Sequence, residues 1–278
     1  MRKMVIAVVV LVGFAGVCWA QFPVPLDIQK ELALYGNLAQ TDAGITSNGE
    51  MACGPVAVTN SLAYLQNKYG GVYDTLLIPD VDGTGTITNL DLVSVCNTLM
   101  TANYMNTGAG GTTQDNLIWG KEQWIEGQAK GKTKYAAQDS WGWVNHTQPD
   151  YVQSMYPTWS FLYNELVACE DVEILISIDA ENGHYVTLTS FHWADTNNNG
   201  IIDDSGAFID FIDPLTGGVN QTSISQSTLN GKIFTAYFSS TPSYIATAVS
   251  ESPTPEPATM TLLVLGLGGA ALLRRRMK

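Results

Sequence analysis

The chain has 278 residues and is acidic, with 13 Lys plus Arg against 26 Asp plus Glu and a formal net charge of −13. The imbalance is concentrated between Gln21 and Ser250, where seven lysines and no arginine face twenty-four acids, which gives this part a charge near −17. Such a surface repels nucleic acid and anionic lipid, so we expect no nucleic-acid partner, and it favours solubility and cation binding.

Residues 1–20 are predicted to be a secretory signal peptide. Arg2 and Lys3 precede a short apolar run, and Cys18 and Ala20 supply small side chains at the two positions that signal peptidase reads. The alternative is an uncleaved membrane anchor, and the short apolar run argues against it. A single domain of two subdomains is predicted to follow over residues 21–240.

The first half of this domain has mainly helical patterns. The clearest helix begins at Cys53, because Pro55 lies in its first turn and two glycines, Gly70 and Gly71, follow its end. The predicted helices cover residues 26–38, 53–69, 89–101 and 160–169. No order of elements is predicted for residues 104–153, which are rich in glycine, tryptophan and polar residues.

Residues 80–91 have the spacing of an EF-hand loop, with oxygen ligands at positions one, three, five and nine, glycine at six and an acid at twelve. Because the last acid is Asp, the loop resembles a dockerin calcium loop. The resemblance implies calcium bound by Asp80, Asp82, Thr84, the Thr86 carbonyl, Thr88 through water, and Asp91. The alternative is a polar, glycine-rich turn. Dockerins carry two such loops close together, so a cohesin-binding module is not expected here.

A second candidate loop begins at Asp195 and keeps only the first half of that spacing, with Gly206 at the twelfth position. Its candidate ligands for a weaker calcium are Asp195, Asn197, Asn199 and Asp203. The alternative is a tight hairpin of the Asn-Gly type.

From residue 172 onward the pattern changes to strands. Runs of β-branched or aromatic residues separated by turns predict strands at 172–178, 184–193, 207–212 and 233–238. Helices followed by an antiparallel sheet predict an α+β fold. Residues 241–254 are predicted to be a linker because they are rich in Ser, Thr and Pro.

The last segment, residues 255–278, has Pro255-Glu256-Pro257, an apolar stretch and then Arg274-Arg275-Arg276. This order resembles the PEP-CTERM sorting tail of Gram-negative bacteria. The resemblance implies export, transient anchoring in the inner membrane, removal of the tail by an exosortase, and a final place at the cell surface or in the extracellular matrix. The alternative is a permanent anchor, although the apolar stretch is short for a stable span.

Three polar residues have the order that a thiol hydrolase needs. Cys53 opens a helix in Cys53-Gly54-Pro55, His184 begins a strand after Gly183, and Asp213 ends a strand before Pro214. A helix N-terminus lowers the pKa of a thiol, an imidazole accepts its proton, and a carboxylate fixes the imidazole tautomer. The alternative is a structural cysteine, a surface histidine and an Asp-Pro turn.

These segments resemble papain-like cysteine peptidases of the bacteriocin-processing (double-glycine leader) type. The resemblance covers residues 41–218 with a large unmatched middle. It implies a papain-like fold in which Cys53 is the nucleophile on the helical half, while His184 is the base and Asp213 the orienting group on the sheet half. The family's oxyanion hole usually takes a Gln amide five or six residues before the cysteine. Here Asn48 has the same amide on a shorter arm and is predicted to donate beside the Cys53 backbone N–H. The alternative is that the loop places this amide elsewhere.

This departure leaves two function classes open. The first is an exported thiol hydrolase, a cysteine peptidase that cleaves peptide or protein substrates through an acyl-enzyme. The second is a non-catalytic, calcium-stabilised surface or matrix protein on a degenerate peptidase fold. Three cysteines remain after signal removal, and a Cys96–Cys169 disulfide with Cys53 free suits catalysis. The alternative is that Cys96 and Cys169 are both unpaired and buried.

Overall fold

The computed structural model describes residues 26–254 apart from residues 47–48, 75, 169, 180–181, 204 and 239–241. The predicted signal peptide and the whole of the predicted sorting tail therefore lie outside the described residues, as do Asn48 and Cys169. Within the described ranges, none of the helices has the length and apolar character needed to cross a membrane.

The described residues form five α-helices and nine strands. The helices are α1 (Cys53–Lys68), α2 (Gly70–Tyr73), α3 (Asn89–Leu99), α4 (Gln114–Ala129) and α5 (Trp159–Val167). The strands are β1 (Leu26–Gln29), β2 (Thr133–Asp139), β3 (Val152–Gln153), β4 (Asp171–Ser177), β5 (Gly183–Trp193), β6 (Phe208–Asp213), β7 (Gly218–Gln226), β8 (Ile233–Thr235) and β9 (Ser243–Pro253). Short 3-10 turns occupy Leu32–Leu34 and Gly49–Met51.

All nine strands of the described part belong to one sheet, and every pairing is antiparallel except β2 with β3. Strands β4, β5, β6, β7, β8 and β9 form a closed ring, because β4 pairs with both β5 and β9. Strand β1 extends β5, and β2 with β3 extends β9. The ring gives each central strand two hydrogen-bonded neighbours, so it fixes the ends of β5 and β6 relative to each other.

Two apolar cores lie on opposite faces of this sheet. The first packs α1, α3 and α4 against one face, and the second fills the ring and is covered by α5. Helix α1 is buried from Gly54 to Gln66, so it lies between α3, α4 and the sheet. Its Leu62 and Leu65 are fully buried, and each such side chain stabilises the fold by about 1.5–3 kcal/mol relative to an exposed one. The Thr187 hydroxyl of β5 donates to the Ala57 carbonyl at 2.9 Å, which fixes α1 on the sheet.

Most predicted elements are confirmed to within two residues at each end. The predicted helices at 53–69, 89–101 and 160–169 are α1, α3 and α5, and the predicted strands at 172–178, 184–193 and 207–212 are β4, β5 and β6. The strand predicted at 233–238 is shorter, because β8 ends at Thr235. The helix predicted at 26–38 is wrong. Leu26–Gln29 pairs with the far end of β5 instead, and this sheet pairing overrides a weak helical pattern.

The linker predicted at 241–254, with the domain boundary at residue 240, is also wrong. These residues form β9, which pairs with β4 on one side and with β2 and β8 on the other. Its side chains are buried from Ser243 to Glu251 except for Tyr244. Small Ser, Thr and Ala side chains give a linker-like composition, but they also suit a strand that is covered on both faces. The globular part therefore continues to the end of β9.

The unassigned middle contains α4, β2 and β3, and it joins the helical face to the edge of the sheet beside β9. The predicted Cys96–Cys169 disulfide is not formed, because Cys96 is a free, fully buried thiol in α3. Burial raises the pKa of Cys96 to about 12, so this thiol is inert at neutral pH.

Candidate active site

The structure brings Cys53, His184 and Asp213 together although they are far apart in the sequence. Cys53 is the first residue of α1 and is partly exposed, whereas His184 and Asp213 are buried. Because β5 and β6 are antiparallel, the end of β6 lies beside the start of β5 and places Asp213 next to His184. The α1 helix crosses the same end of the sheet, and this sets the thiol against the imidazole.

The imidazole of His184 links the other two residues. Its Nε2 lies 2.8 Å from Asp213 Oδ1, and its ring is also hydrogen-bonded to the Cys53 sulfur. Since Nε2 faces the carboxylate, the nitrogen that faces the sulfur is Nδ1. The backbone N–H groups of Tyr185 and Gly54 also donate to the sulfur. The sulfur is therefore surrounded by donors, which favour its anionic form.

Electrostatics make this pair charged. Burial raises the pKa of the Cys53 thiol, but the hydrogen bond and positive charge of His184 outweigh it, so the net pKa is lowered. Burial lowers the pKa of His184, but the hydrogen bonds to Asp213 and Cys53 outweigh it and raise the pKa to about 9. At neutral pH these shifts favour a thiolate next to an imidazolium, the form in which a cysteine acts as a nucleophile.

Asp213 is held as a carboxylate by four donors. Beside His184, the Leu215 N–H donates to Oδ1 at 2.9 Å, while Asn220 Nδ2 and the Tyr237 hydroxyl donate to Oδ2 at 2.7 and 2.8 Å. Burial raises the pKa of this carboxyl, but the hydrogen bonds, led by that of His184, lower it to about 2. Asp213 therefore stays negative across the physiological range and orients the imidazole.

Sequence reasoning missed Tyr237 and Asn220. The Tyr237 ring stacks on His184 with 5.7 Å between ring centroids and 3° between planes, so one side chain covers the imidazole and donates to its carboxylate. Asn220 lies on β7, opposite Phe211 of β6. The Asp-Pro and Gly-Gly turn signals after β6 indicate a hairpin, and its return strand would have identified Asn220. No local pattern marks Tyr237, which reaches the site from the turn after β8.

A short segment before α1 connects the nucleophile helix to the Asp213 turn. The buried side chain of Asn60 in α1 accepts from the Leu38 N–H at 2.9 Å and donates to the Leu38 carbonyl at 3.1 Å. Two residues later, the Gln40 N–H donates to the Pro214 carbonyl at 2.7 Å. Gly217 has φ +69° and a Cβ there would lie 2.5 Å from the Asn37 carbonyl oxygen, so only glycine fits this turn.

Tyr185 forms the wall beside the thiol on the helical face of the sheet. It is buried, and in the described part of the chain its hydroxyl has no hydrogen-bond partner. Burial raises its pKa, and the nearby negative charges of Cys53, Asp139 and Asp115 add to this effect. Burial also raises the pKa of Asp139, at the end of β2, to about 6. Asn48, the predicted oxyanion donor, lies outside the described residues, so its role stays a prediction.

The first candidate calcium loop brings three of its predicted ligands together. Carboxylate oxygens of Asp80, Asp82 and Asp91 lie within 4.8 Å of one another, with Asp91 buried and the other two exposed. Asp80 Oδ2 accepts from the Gly85 N–H at 2.8 Å, and Gly85 has φ +76°. The Thr88 hydroxyl contacts Asp82 Oδ2 and Asp91 Oδ2, each at 2.8 Å. The Thr84 hydroxyl donates to the Thr86 carbonyl at 3.0 Å, so all six predicted residues belong to one compact loop.

The second loop has the same hydrogen-bond pattern at its start. The N–H groups of Asn199 and Gly200 donate to Asp195 at 3.0 and 2.8 Å, and Gly200 has φ +72°. The side chains of Asn197 and Asn199 donate to Asp203 at 2.9 Å each. Of the two loops, only the first gathers three carboxylates within the described ranges. Oxygen-rich loops of this kind suit a hard cation such as calcium, and the first has the stronger donor set.

Comparison with known proteins identifies one end of the chain. The family described as the PEP-CTERM protein-sorting motif matches residues 253–276. The predicted sorting tail is therefore confirmed, and it implies export, processing by an exosortase and sorting to the cell surface in Gram-negative bacteria. A search of curated proteins finds no match to the chain. The motif begins at Pro253, the last residue of β9, so the tail follows the sheet without a linker.

Proposed function

We propose that this exported protein is a thiol hydrolase, a papain-like cysteine peptidase that cleaves amide bonds of peptides or proteins through an acyl-enzyme. One observation carries the proposal: the His184 imidazole is hydrogen-bonded to the Cys53 sulfur on one side and to the Asp213 carboxylate on the other. A nucleophile at the start of a buried helix, with base and orienting group on adjacent strands, also supports the papain-like fold.

The arrangement supports a two-step reaction. The Cys53 thiolate attacks the carbonyl carbon, and the resulting oxyanion is stabilised by the Cys53 backbone N–H and the Asn48 amide. The His184 imidazolium then gives its proton to the leaving amine as the C–N bond breaks, which leaves a thioester on Cys53. A water molecule loses a proton to His184, attacks the thioester and releases the acid and the thiolate. Asp213 holds the ring in position throughout.

Alkylation by iodoacetamide at pH 7, followed by peptide mass analysis, tests the proposal. We expect Cys53 to react at least tenfold faster than Cys96 in the same molecules, because Cys53 is a partly exposed thiolate and Cys96 a buried thiol. The variant His184→Ala is expected to slow the alkylation of Cys53 but not that of Cys96. Raising the pH is expected to restore the alkylation rate of Cys53. Equal rates for Cys53 in wild type and His184→Ala at pH 7 would exclude an activated nucleophile.

We also propose that calcium stabilises the fold by binding the loop at Asp80, Asp82, Thr84, Thr86, Thr88 and Asp91, with a weaker site at Asp195, Asn197, Asn199 and Asp203. The gathered carboxylates of the first loop support this. The same feature favours the second candidate function, a non-catalytic, calcium-stabilised surface or matrix protein. The alkylation rate of Cys53 distinguishes the two functions. Slow alkylation together with calcium-dependent stability would favour the binding protein.

A further inference from the structure

An open cleft lies where β2 ends against β9. It has a volume of about 350 Å³, and Ser140, Tyr156, Gln226 and Asn230 are among the residues that line it. Ser140 follows β2 and donates through its N–H and its hydroxyl to the Ala246 carbonyl of β9, at 3.1 and 2.9 Å. These two hydrogen bonds fix the segment after β2 on β9, and the cleft is built on this junction.

A lysine is held against this cleft by two tyrosines. The Lys232 ammonium lies 4.5 Å from the ring centroid of Tyr156 and 4.1 Å from that of Tyr244. Tyr156 and the neighbouring Gly231 both line the cleft. Lys232 is partly exposed, and among the described residues no carboxylate forms an ion pair with it.

This lysine is unusual in such an acidic chain. Residues 21–250 contain seven lysines and no arginine, and two of these lysines, Lys68 and Lys121, have acidic partners. The two rings restrict the Lys232 side chain through cation–π contacts, so little further entropy is lost when an anion binds. Asp139, the residue before Ser140, does not line the cleft. The ammonium is thus a preorganised positive charge at the edge of this cleft.

The strand register relates this lysine to the candidate catalytic residues. Gly183, just before His184, pairs with Ser177, and Ser177 pairs with Tyr244. Neighbouring strands lie about 4.8 Å apart, so the distance between the Cα atoms of Gly183 and Tyr244 is about 10 Å. Tyr185 and Tyr244 both pack on the helical core, as Cys53 does, so the lysine and the thiol share one face of the sheet.

The chemistry of the site indicates which half of a substrate lies on this face. His184 delivers its proton to the leaving amine, so the leaving half lies on the side of His184 and Tyr237. The acyl half, N-terminal to the cleaved bond, then lies on the opposite side, toward the partly exposed Tyr244. An extended polypeptide rises about 3.3 Å per residue, so 10 Å corresponds to about three residues.

We infer that Lys232 is a subsite for a substrate carboxylate, the side chain of an acidic residue about three positions before the cleaved bond. The inference rests on the proposed function and names its substrate class, an acidic peptide. Gln226 and Asn230 line the cleft beside this lysine. A surface with a charge near −17 otherwise repels such a peptide, so the preference is expected to depend on this one lysine.

A pair of thiol-reactive probes tests the inference. Both are tetrapeptidyl acyloxymethyl ketones with alanine at the other positions, and they carry either Glu or Gln at the third residue before the electrophile. The wild-type protein is expected to be labelled at Cys53 about tenfold faster by the Glu probe, a difference that salt reduces. Lys232→Gln is expected to remove the preference while leaving the rate with the Gln probe unchanged.

Two further variants serve as controls. Lys134→Gln removes an exposed lysine of β2 and is expected to keep the preference, whereas Lys232→Arg keeps the charge and is expected to retain most of it. Equal labelling of the wild type by both probes would overturn the subsite while leaving the proposed function intact, and so would a preference that survives in Lys232→Gln. Failure of both probes to label Cys53, with iodoacetamide showing the thiol intact, would overturn the proposed function and this inference with it.

Discussion

Two groups of ionisable residues in this protein differ in whether the charged or the neutral forms of their acids are favoured. In the candidate active site, one imidazolium faces one thiolate and one carboxylate, and each charge is favoured, with the pKa of His184 raised to about 9 and that of Asp213 lowered to about 2. In the second group, the buried Lys121 of α4 contacts Asp171, Glu173 and Glu251. We call this second group the Lys121 cluster.

In the Lys121 cluster one positive charge faces three carboxyl groups, and the effect of burial on their pKa values exceeds that of the positive charge. Burial raises the pKa of Asp171 and of Glu251, and it raises that of Glu173 to about 7, although Lys121 opposes each shift. The cluster joins α4 to β4 and β9 and has no partly exposed member, whereas Cys53 is partly exposed. The comparison shows that burial alone does not make a reactive site. The balance of charges decides whether a buried acid is ionised or keeps its proton. Access to solvent then decides whether an ionised group can react with a substrate.

The largest effect is expected from removal of the central cation. Lys121→Met leaves three buried carboxylates without a counter-charge, and breaking such a buried ion pair costs about 3 kcal/mol or more of unfolding free energy. Urea denaturation measures this loss, with the exposed-lysine variant Lys134→Met as the matched control. Lys121→Met as stable as Lys134→Met would show that the cluster contributes nothing to the fold.

The same cluster predicts how stability depends on pH. The pKa of Glu173 is about 7 in the folded protein and near its ordinary value of 4.5 when unfolded, so the folded state binds the proton more tightly. This contribution to stability is complete below about pH 4.5 and is lost as the pH rises through 7. We expect about 3 kcal/mol less unfolding free energy from this group at pH 8 than at pH 4.5. Glu173→Gln is expected to flatten the curve, and an unchanged slope would contradict a protonated Glu173.

The variant Tyr237→Phe tests the hydrogen bond to Asp213 alone, because it keeps the ring on His184 and removes only the hydroxyl that donates to Asp213. A hydrogen bond to a charged group contributes about 1.5–3 kcal/mol, so we expect about a tenfold loss of turnover. As a positioning residue, Tyr237 should also affect the ionisation of the site, and its loss is expected to shift the alkaline pKa of the pH–rate profile. A loss of turnover with an unmoved profile would indicate a purely structural role.

The fold shows where sequence patterns are informative and where they are not. Helix α1 was predictable because Pro55 and the following glycines mark its ends, and strands β4 and β5 were predictable because their apolar runs are buried on both faces. Strand β9 was not predictable, since its small polar residues are typical of linkers and only its partners β4 and β2 make it a strand.

The candidate site divides in the same way. Cys53, His184 and Asp213 lie at the ends of predictable elements. Their order in the chain therefore predicted that they lie close together in the fold. Asn220 reaches Asp213 through the β6–β7 hairpin, which the turn signals after β6 indicate. Tyr237 reaches it from the turn after β8, a position that depends on strand pairings distant in sequence. The Lys121 cluster likewise joins residues 50 and 130 positions apart, and no local pattern reports such contacts.

The smallest expected effect concerns calcium. Binding only to the folded state is expected to add about 1 kcal/mol of stability, or a few degrees of melting temperature, at a modest excess of calcium. The double variant Asp80→Ala with Asp82→Ala is expected to remove most of this gain, and Asp195→Ala to remove less. A melting temperature that is the same with calcium and with chelator would show that the first loop is a glycine-rich turn without a metal.

The ionisation of Cys53 tests the central claim most directly. The ultraviolet absorbance of the thiolate, titrated in the wild type and in Cys53→Ser, gives the pKa of this one thiol by difference. The structure predicts a value below the ordinary 9.0, with a thiolate present at neutral pH, because His184 is protonated beside it up to about pH 9. His184→Ala is expected to raise the value, since the hydrogen bond and charge of His184 are lost and only the two backbone donors then oppose burial. A thiol that titrates at or above 9.0 in the wild type, unchanged in His184→Ala, would contradict the thiolate–imidazolium pair and the peptidase function built on it.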